Sequence, residues 1–156
     1  VLKALVRKNL DLLEDERNFR IQTQKPQRKN KNQNTENHLY ERLIEWLQKD
    51  KQFSRTDLTV DMVAKELGTN RDYLSNAISE KGKRFNDLIN KYRVEEAIKI
   101  LTDKCDKRRN YNLTIIASEV GFKSNSVFIE AFRKQTGLNP AQFRESACDV
   151  EKVKNN

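Results

Sequence analysis

Two stretches of this sequence, about fifty residues apart, follow one plan. In the first, Val60-Asp-Met-Val-Ala64-Lys-Glu-Leu-Gly68 leads through Thr69-Asn70 into Arg71-Asp-Tyr-Leu74-Ser-Asn-Ala-Ile78. In the second, Ile115-Ile-Ala117-Ser-Glu-Val-Gly121 leads through Phe122-Lys123-Ser124 into Asn125-Ser-Val-Phe128-Ile-Glu-Ala-Phe132. Each copy has an alanine, a glycine four residues on, a polar residue, and then an apolar pair four apart. The small alanine lets two helices cross closely. The glycine can take the left-handed conformation that closes the first helix, and Asn70 or Ser124 can cap the second. Leu74/Ile78 and Phe128/Phe132 then anchor that second helix and leave its polar face outward. One such pair is common in helical proteins. Two in phase point to paired helix-turn-helix units.

The remaining punctuation agrees. All four glycines (Gly68, Gly82, Gly121, Gly137) follow helix-like stretches, and Asn139-Pro140 reads as a cap with proline at the first helical position. The spacing predicts helices from about Thr35 through the Leu39/Leu43/Leu47 stripe, then at Thr59–Leu67, Asn70–Lys81, Arg84–Leu101, Asn112–Val120, Ser124–Thr136 and Pro140–Cys148. The brief Asn112–Val120 helix is expected to start irregularly. No sustained two-residue alternation occurs, so the fold class is all-α. Helix Arg84–Leu101 carries Phe85, Leu88, Ile89, Tyr92, Ala97, Ile98 and Leu101 as one apolar stripe for both units to pack on. At 1.5 Å per residue it is about 27 Å long; with the breadth of a packed helix at each end it can hold two recognition helices about 34 Å apart, one turn of DNA.

Ahead of this region, residues 1–19 read as an amphipathic helix built on Leu2, Leu5, Val6, Leu10, Leu12 and Leu13. That apolar strip needs a partner: its own domain, a second copy, or an upstream region of which it is the last helix. The last of these is favoured here. Residues 20–35 hold one aliphatic residue, Ile21, and five basic ones without an acid, and read as a flexible linker or a phosphate-binding arm. Residues 36–148 form the folded domain, and 149–156 a tail. The chain begins with Val and no signal-peptide pattern follows, so it is expected to be a piece of a longer protein.

Composition narrows the function. Lys and Arg number 31 against 23 acidic residues, a formal charge of +8, which favours an anionic partner. Five of those charges lie in residues 20–35, so charge alone decides little. The two cysteines, Cys105 and Cys148, form no disulfide framework and fit a reducing compartment, the cytoplasm. One histidine, His38, without a Cys/His cluster argues against a metal site and against Ser/His/Asp catalysis. Four glycines in no phosphate-loop pattern argue against a nucleotide cofactor. Trp46 beside the Leu39/Leu43/Leu47 stripe reads as core, and no enzyme activity or cofactor is expected.

The stretch from about Leu58 to Arg144 resembles the C-terminal DNA-binding domain of the AraC/XylS family of transcription regulators. The matching residues are Ala64, Leu67, Gly68, Tyr73-Leu74-Ser75 and Phe85, then Tyr92-Arg93-Val94, Ala97 and Leu101. The second unit matches through Gly121-Phe122-Lys123-Ser124, Phe128, Ala131-Phe132-Arg133-Lys134, Gly137, Asn139-Pro140 and Phe143-Arg144. The resemblance implies two helix-turn-helix units joined by a long helix and reading two successive major-groove segments of double-stranded DNA. It also implies partners such as RNA polymerase or an upstream sensory or oligomerisation domain. Residues 1–35 are too short to hold such a domain, so no small-molecule ligand is expected here.

Candidate DNA contacts on the first unit are Asn70, Arg71, Asp72, Ser75 and Asn76. On the second they are Lys123, Ser124, Asn125, Ser126, Ile129, Glu130, Arg133 and Lys134. Asn76 can bond an adenine edge, Arg71 a guanine, and Ile129 can meet a thymine methyl. Glu130 is either a specificity residue accepting from cytosine or a solvated one. Lys123, Arg133 and Lys134 are assigned to phosphate. Arg93, on the connecting helix, is open to a phosphate contact or a structural ion pair. The competing function is a helical protein-interaction module without DNA specificity.

Overall fold

The computed structural model describes residues 31–152, with side chains for residues 37–147. The helix expected at 1–19, most of the 20–35 stretch and the Cys148 side chain lie outside the described residues. In chain order the structure contains α1 (Lys31–Gln48), a 3-10 turn (Lys49–Ser54), α2 (Val60–Glu66), α3 (Arg71–Glu80) and α4 (Phe85–Thr102). A second 3-10 turn (Lys107–Asn110), α5 (Leu113–Glu119), α6 (Asn125–Thr136) and α7 (Pro140–Lys152) follow. Among the described residues there is no strand, and the fold is all-α, as the periodicity and punctuation implied.

Local chemistry explains most boundaries. Thr59 caps α2 by accepting from the Met62 amide, and Asn70 caps α3 by accepting from the Tyr73 amide at 3.0 Å. Asn139 and Gln142 form a reciprocal capping box around Pro140: Asn139 Oδ1 accepts from the Gln142 amide at 2.8 Å, and Gln142 Oε1 from the Asn139 amide at 3.2 Å. The short α5 starts regularly after all, because Asn112 caps it through the Thr114 amide. Two boundaries differ from expectation. α1 begins at Lys31, inside the stretch read as linker, and α7 runs on to Lys152. Neither 3-10 turn was anticipated. The first carries Asp50 and Lys51 in left-handed conformations, φ 52° and 53°, which no sequence signal announces.

The apolar residues gather into two cores. Leu39, Leu43, Leu47, Phe53, Val63, Ala64, Leu67, Leu74, Ala77 and Ile78 form the first with Leu88, Ile89 and Tyr92 of α4. The second joins Val94, Ala97, Ile100 and Leu101 of α4 to Ile116, Ala117, Val120, Phe122, Phe128, Phe132 and Phe143. Four of its phenylalanines, Phe122, Phe128, Phe132 and Phe143, form a ladder of tilted and edge-on contacts with centroids 5.2–5.6 Å apart. α4 therefore serves two cores from two of its sides. The single stripe expected of it does not exist as such: Phe85 and Ile98 are only partly buried, while Val94 and Ile100 are buried. Trp46 packs against the first core, as expected, and His38 is exposed.

Candidate nucleic-acid interface

The repeated plan becomes two turns with the same hydrogen bonds. After α2 the Gly68 amide donates to Lys65 O at 3.0 Å and the Thr69 amide to Ala64 O at 2.9 Å. After α5 the Gly121 amide donates to Ser118 O at 3.0 Å and the Phe122 amide to Ala117 O at 2.9 Å. This is the paired bonding that ends a helix on a left-handed residue, and Gly68 and Gly121 have φ of 67° and 102°. Ala64 and Ala117 are buried at the crossings. The units differ by one residue in the turn: Asn70 directly follows Thr69, whereas Lys123 intervenes between Phe122 and Ser124. Ser124 occupies the cap position of α6, but its side chain makes no capping hydrogen bond, contrary to expectation.

Each second helix is held down by one face. Leu74, Ala77 and Ile78 of α3 and Phe128 and Phe132 of α6 are buried. The opposite face is open. On α3, Asn70, Arg71, Asp72 and Asn76 are exposed and Ser75 is half-buried. In the second unit Lys123, Ser124, Asn125, Ser126, Ile129, Glu130, Arg133 and Lys134 are all exposed. Ser126, Ile129, Glu130, Arg133 and Lys134 line one open hollow along α6. Two of the cations already face acids: Arg71 lies 3.6 Å from Asp61 and Lys134 lies 3.4 Å from Asp87. Such exposed pairs contribute little and exchange readily for a phosphate or a base edge.

Tyr73 and Val127 share these exposed faces, with 60% and 46% of their surface accessible. Neither is among the candidate contacts named from the sequence. A wheel centred on Leu74, Ala77 and Ile78 puts Tyr73 on the flank, so the signal was present. The Arg93 guanidinium donates to the carbonyls of Phe53 and Arg55, and among the described residues it makes no ion pair. Among the described residues no cluster of His, Cys, Asp or Glu is placed to hold a metal, and no helix is long and apolar enough to cross a membrane.

A family model described as a helix-turn-helix domain matches residues 63–146, more than half of the chain. The chain belongs to the AraC-type helix-turn-helix family. Relatives within this AraC-type group include the transcriptional regulatory protein YesN of Bacillus subtilis, 34% identical over 91 residues, which cover 56% of this chain and 24% of that protein. The urease operon transcriptional activator of Escherichia coli is 32% identical over 85 residues, covering 54% of this chain and 27% of the relative. The chain thus spans about a quarter of the length of these two relatives. Among solved structures, the C-terminal domain of AraT, a response regulator from Geobacillus stearothermophilus, superposes with a TM-score of 0.59 at 33% identity, covering 69% of this chain and 84% of that one. The AraC-type relatives and fold are those of DNA-binding regulators, not of enzymes.

Proposed function

We propose that this chain recognises a specific double-stranded DNA sequence by laying α3 and α6 in two successive major-groove segments on one face of the duplex. The observation that carries this reading is the pair of matching turns, each presenting an exposed polar helix face, in two units that share one connecting helix. Base readout falls to Arg71, Asp72, Ser75 and Asn76 on α3 and to Asn125, Ser126, Ile129 and Glu130 on α6. Asn76 pairs with adenine, Arg71 with guanine, Ile129 with a thymine methyl and Glu130 with the cytosine amino group. Asn70, Lys123, Ser124, Arg133 and Lys134 hold the backbone and set the register. The relatives' names place them in transcription, and the same role is inferred here. An upstream sensory or oligomerisation domain, and RNA polymerase, are the partners this role calls for.

Selection from a randomised duplex library tests the reading and returns the operator. Binding that weakens steeply with added salt, through counterion release from phosphates, is the expected result. No binding to any duplex at about 50 mM salt overturns it. Salt-indifferent capture of a helical peptide favours the protein-interaction module instead.

A further inference from the structure

The two cores meet at the middle of α4, between Tyr92 of the first and Val94 of the second, and Arg93 stands at that boundary. Its Nε donates to the Phe53 carbonyl at 2.8 Å and a terminal nitrogen to the Arg55 carbonyl at 2.7 Å. Both acceptors belong to the segment around the first 3-10 turn, which is pinned to α4 by Phe53 stacked on Tyr92 with centroids 6.0 Å apart. The same guanidinium lies over the Phe122 ring, 5.6 Å from its centroid, and Phe122 belongs to the second core. Gly121 completes the joint. A Cβ there would sit 2.4 Å from the Ser54 carbonyl oxygen and 2.9 Å from Arg93 Nε, so the turn before α6 touches the first unit's 3-10 turn directly.

Neighbouring contacts brace this joint. Lys51 donates to Glu96, a buried carboxylate one turn further along α4. Arg55, whose carbonyl Arg93 holds, turns its own guanidinium to Glu66 at the end of α2, 2.9 Å away. A continuous path therefore runs from α2 through Arg55 and Arg93 to Phe122 and the turn that launches α6. A single helix between two modules resists bending but leaves the angle between them sensitive to small twists. A contact set beside the helix axis removes that freedom. Arginine suits the position because its planar fork can satisfy two carbonyls at once while its face stacks on a ring; a lysine ammonium cannot do both.

We propose that Arg93 is a positioning residue for DNA recognition: by clamping the Lys49–Ser54 turn against Gly121 and Phe122 it fixes α3 relative to α6, and so sets the spacing of the two DNA segments the chain accepts. This rests on the two-segment reading above, and the experiment separates the two claims. The first measurement needs no DNA. Spin labels at Ser79→Cys on α3 and Val127→Cys on α6, in a chain with Cys105→Ser and Cys148→Ser, report the distance between the helices. A single narrow distribution is expected, broadened by Arg93→Lys and more so by Arg93→Ala. The lysine variant keeps the charge and the aliphatic stem, so it serves if the alanine variant unfolds.

The second measurement uses the selected duplex and versions with one or two base pairs inserted between its segments. The native chain is expected to lose about tenfold in affinity per inserted pair, because the second contact can no longer be made without strain. Arg93→Ala is expected to bind the parent duplex about tenfold more weakly yet lose under about threefold per insertion. Narrow distances in both variants overturn the clamp. Broad distances with an unchanged spacing penalty overturn the positioning role and leave two-segment recognition standing. A native chain that ignores spacing, or binds no duplex, overturns two-segment recognition and the DNA role of Arg93 with it; the distance distribution still decides the clamp.

Discussion

Asn76 and Arg71 carry the sharpest expectations at the scale of single residues. Both are exposed on α3, and Arg71 has a 3.6 Å surface pair with Asp61 to give up. Replacing a side chain that reads a base edge costs about 1–3 kcal/mol of binding and relaxes preference at one base pair. Asn76→Ala and Arg71→Ala should each show that pattern in a titration against the selected duplex and its single-base variants. Unchanged affinity and preference in both would remove the first unit from the readout. Lys123→Ala and Arg133→Ala are expected to behave differently, weakening all duplexes alike and reducing the salt slope by about one charge each. Glu130→Gln distinguishes its two readings. A specificity residue changes preference at a cytosine, while a solvated one only strengthens binding generally by removing repulsion from phosphate.

The element scale shows where equal residue types have unequal effects. Asn70 and Ser124 occupy the same position in the two units, yet only Asn70 bonds an amide of the helix it caps. The extra residue in the second turn, Lys123, changes how the chain enters α6, and the identity of the cap residue carries no trace of it. Asn70→Ala is therefore expected to destabilise the protein by about 1 kcal/mol. Ser124→Ala should change stability by a few tenths at most, about the scatter of ordinary surface substitutions. Denaturant midpoints of the two variants check this, and equal losses would show that Ser124 caps α6 in solution. The Asn139 cap at α7 was legible because it precedes a proline at the first helical position; the reciprocal bond to Gln142 was not.

At the scale of the molecule, α4 matters because each core borrows one of its sides. Leu88, Ile89 and Tyr92 close the first core, and Val94, Ala97, Ile100 and Leu101 close the second. Unfolding either unit strips one side of the shared helix, so the domain is expected to unfold in a single cooperative transition. Phe128→Ala, which opens the phenylalanine ladder, should cost about 3–5 kcal/mol and shift that transition as a whole. Two resolved transitions in calorimetry would mean that the units fold independently. Among the described residues both cores are assembled from residues 39–143, and deleting residues 1–19 is expected to leave the helical signal and single-site DNA binding intact. Loss of the fold on that deletion would place the first segment in the core.

What the sequence determined by itself is local. Helix-forming stretches, the paired alanine-and-glycine turns and the Asn70 and Asn139 caps all depend on residues within about one or two turns of each other, the range over which helical spacing and capping act. The all-α class, the two units and the exposed faces of α3 and α6 follow from that. The tertiary structure decided the rest, through contacts between distant residues. A periodicity test sees apolar residues on α4 but not that they serve two partners on two sides, because the pattern does not record which neighbour lies where. It sees Arg93 as a cation on a helix, open to phosphate or to an acid; the partners it actually finds are backbone carbonyls 40 and 38 residues away. Backbone carbonyls are the same at every residue, so no side-chain pattern can point to them. The closeness of Gly121 to Ser54 likewise arises only once both units are docked on α4.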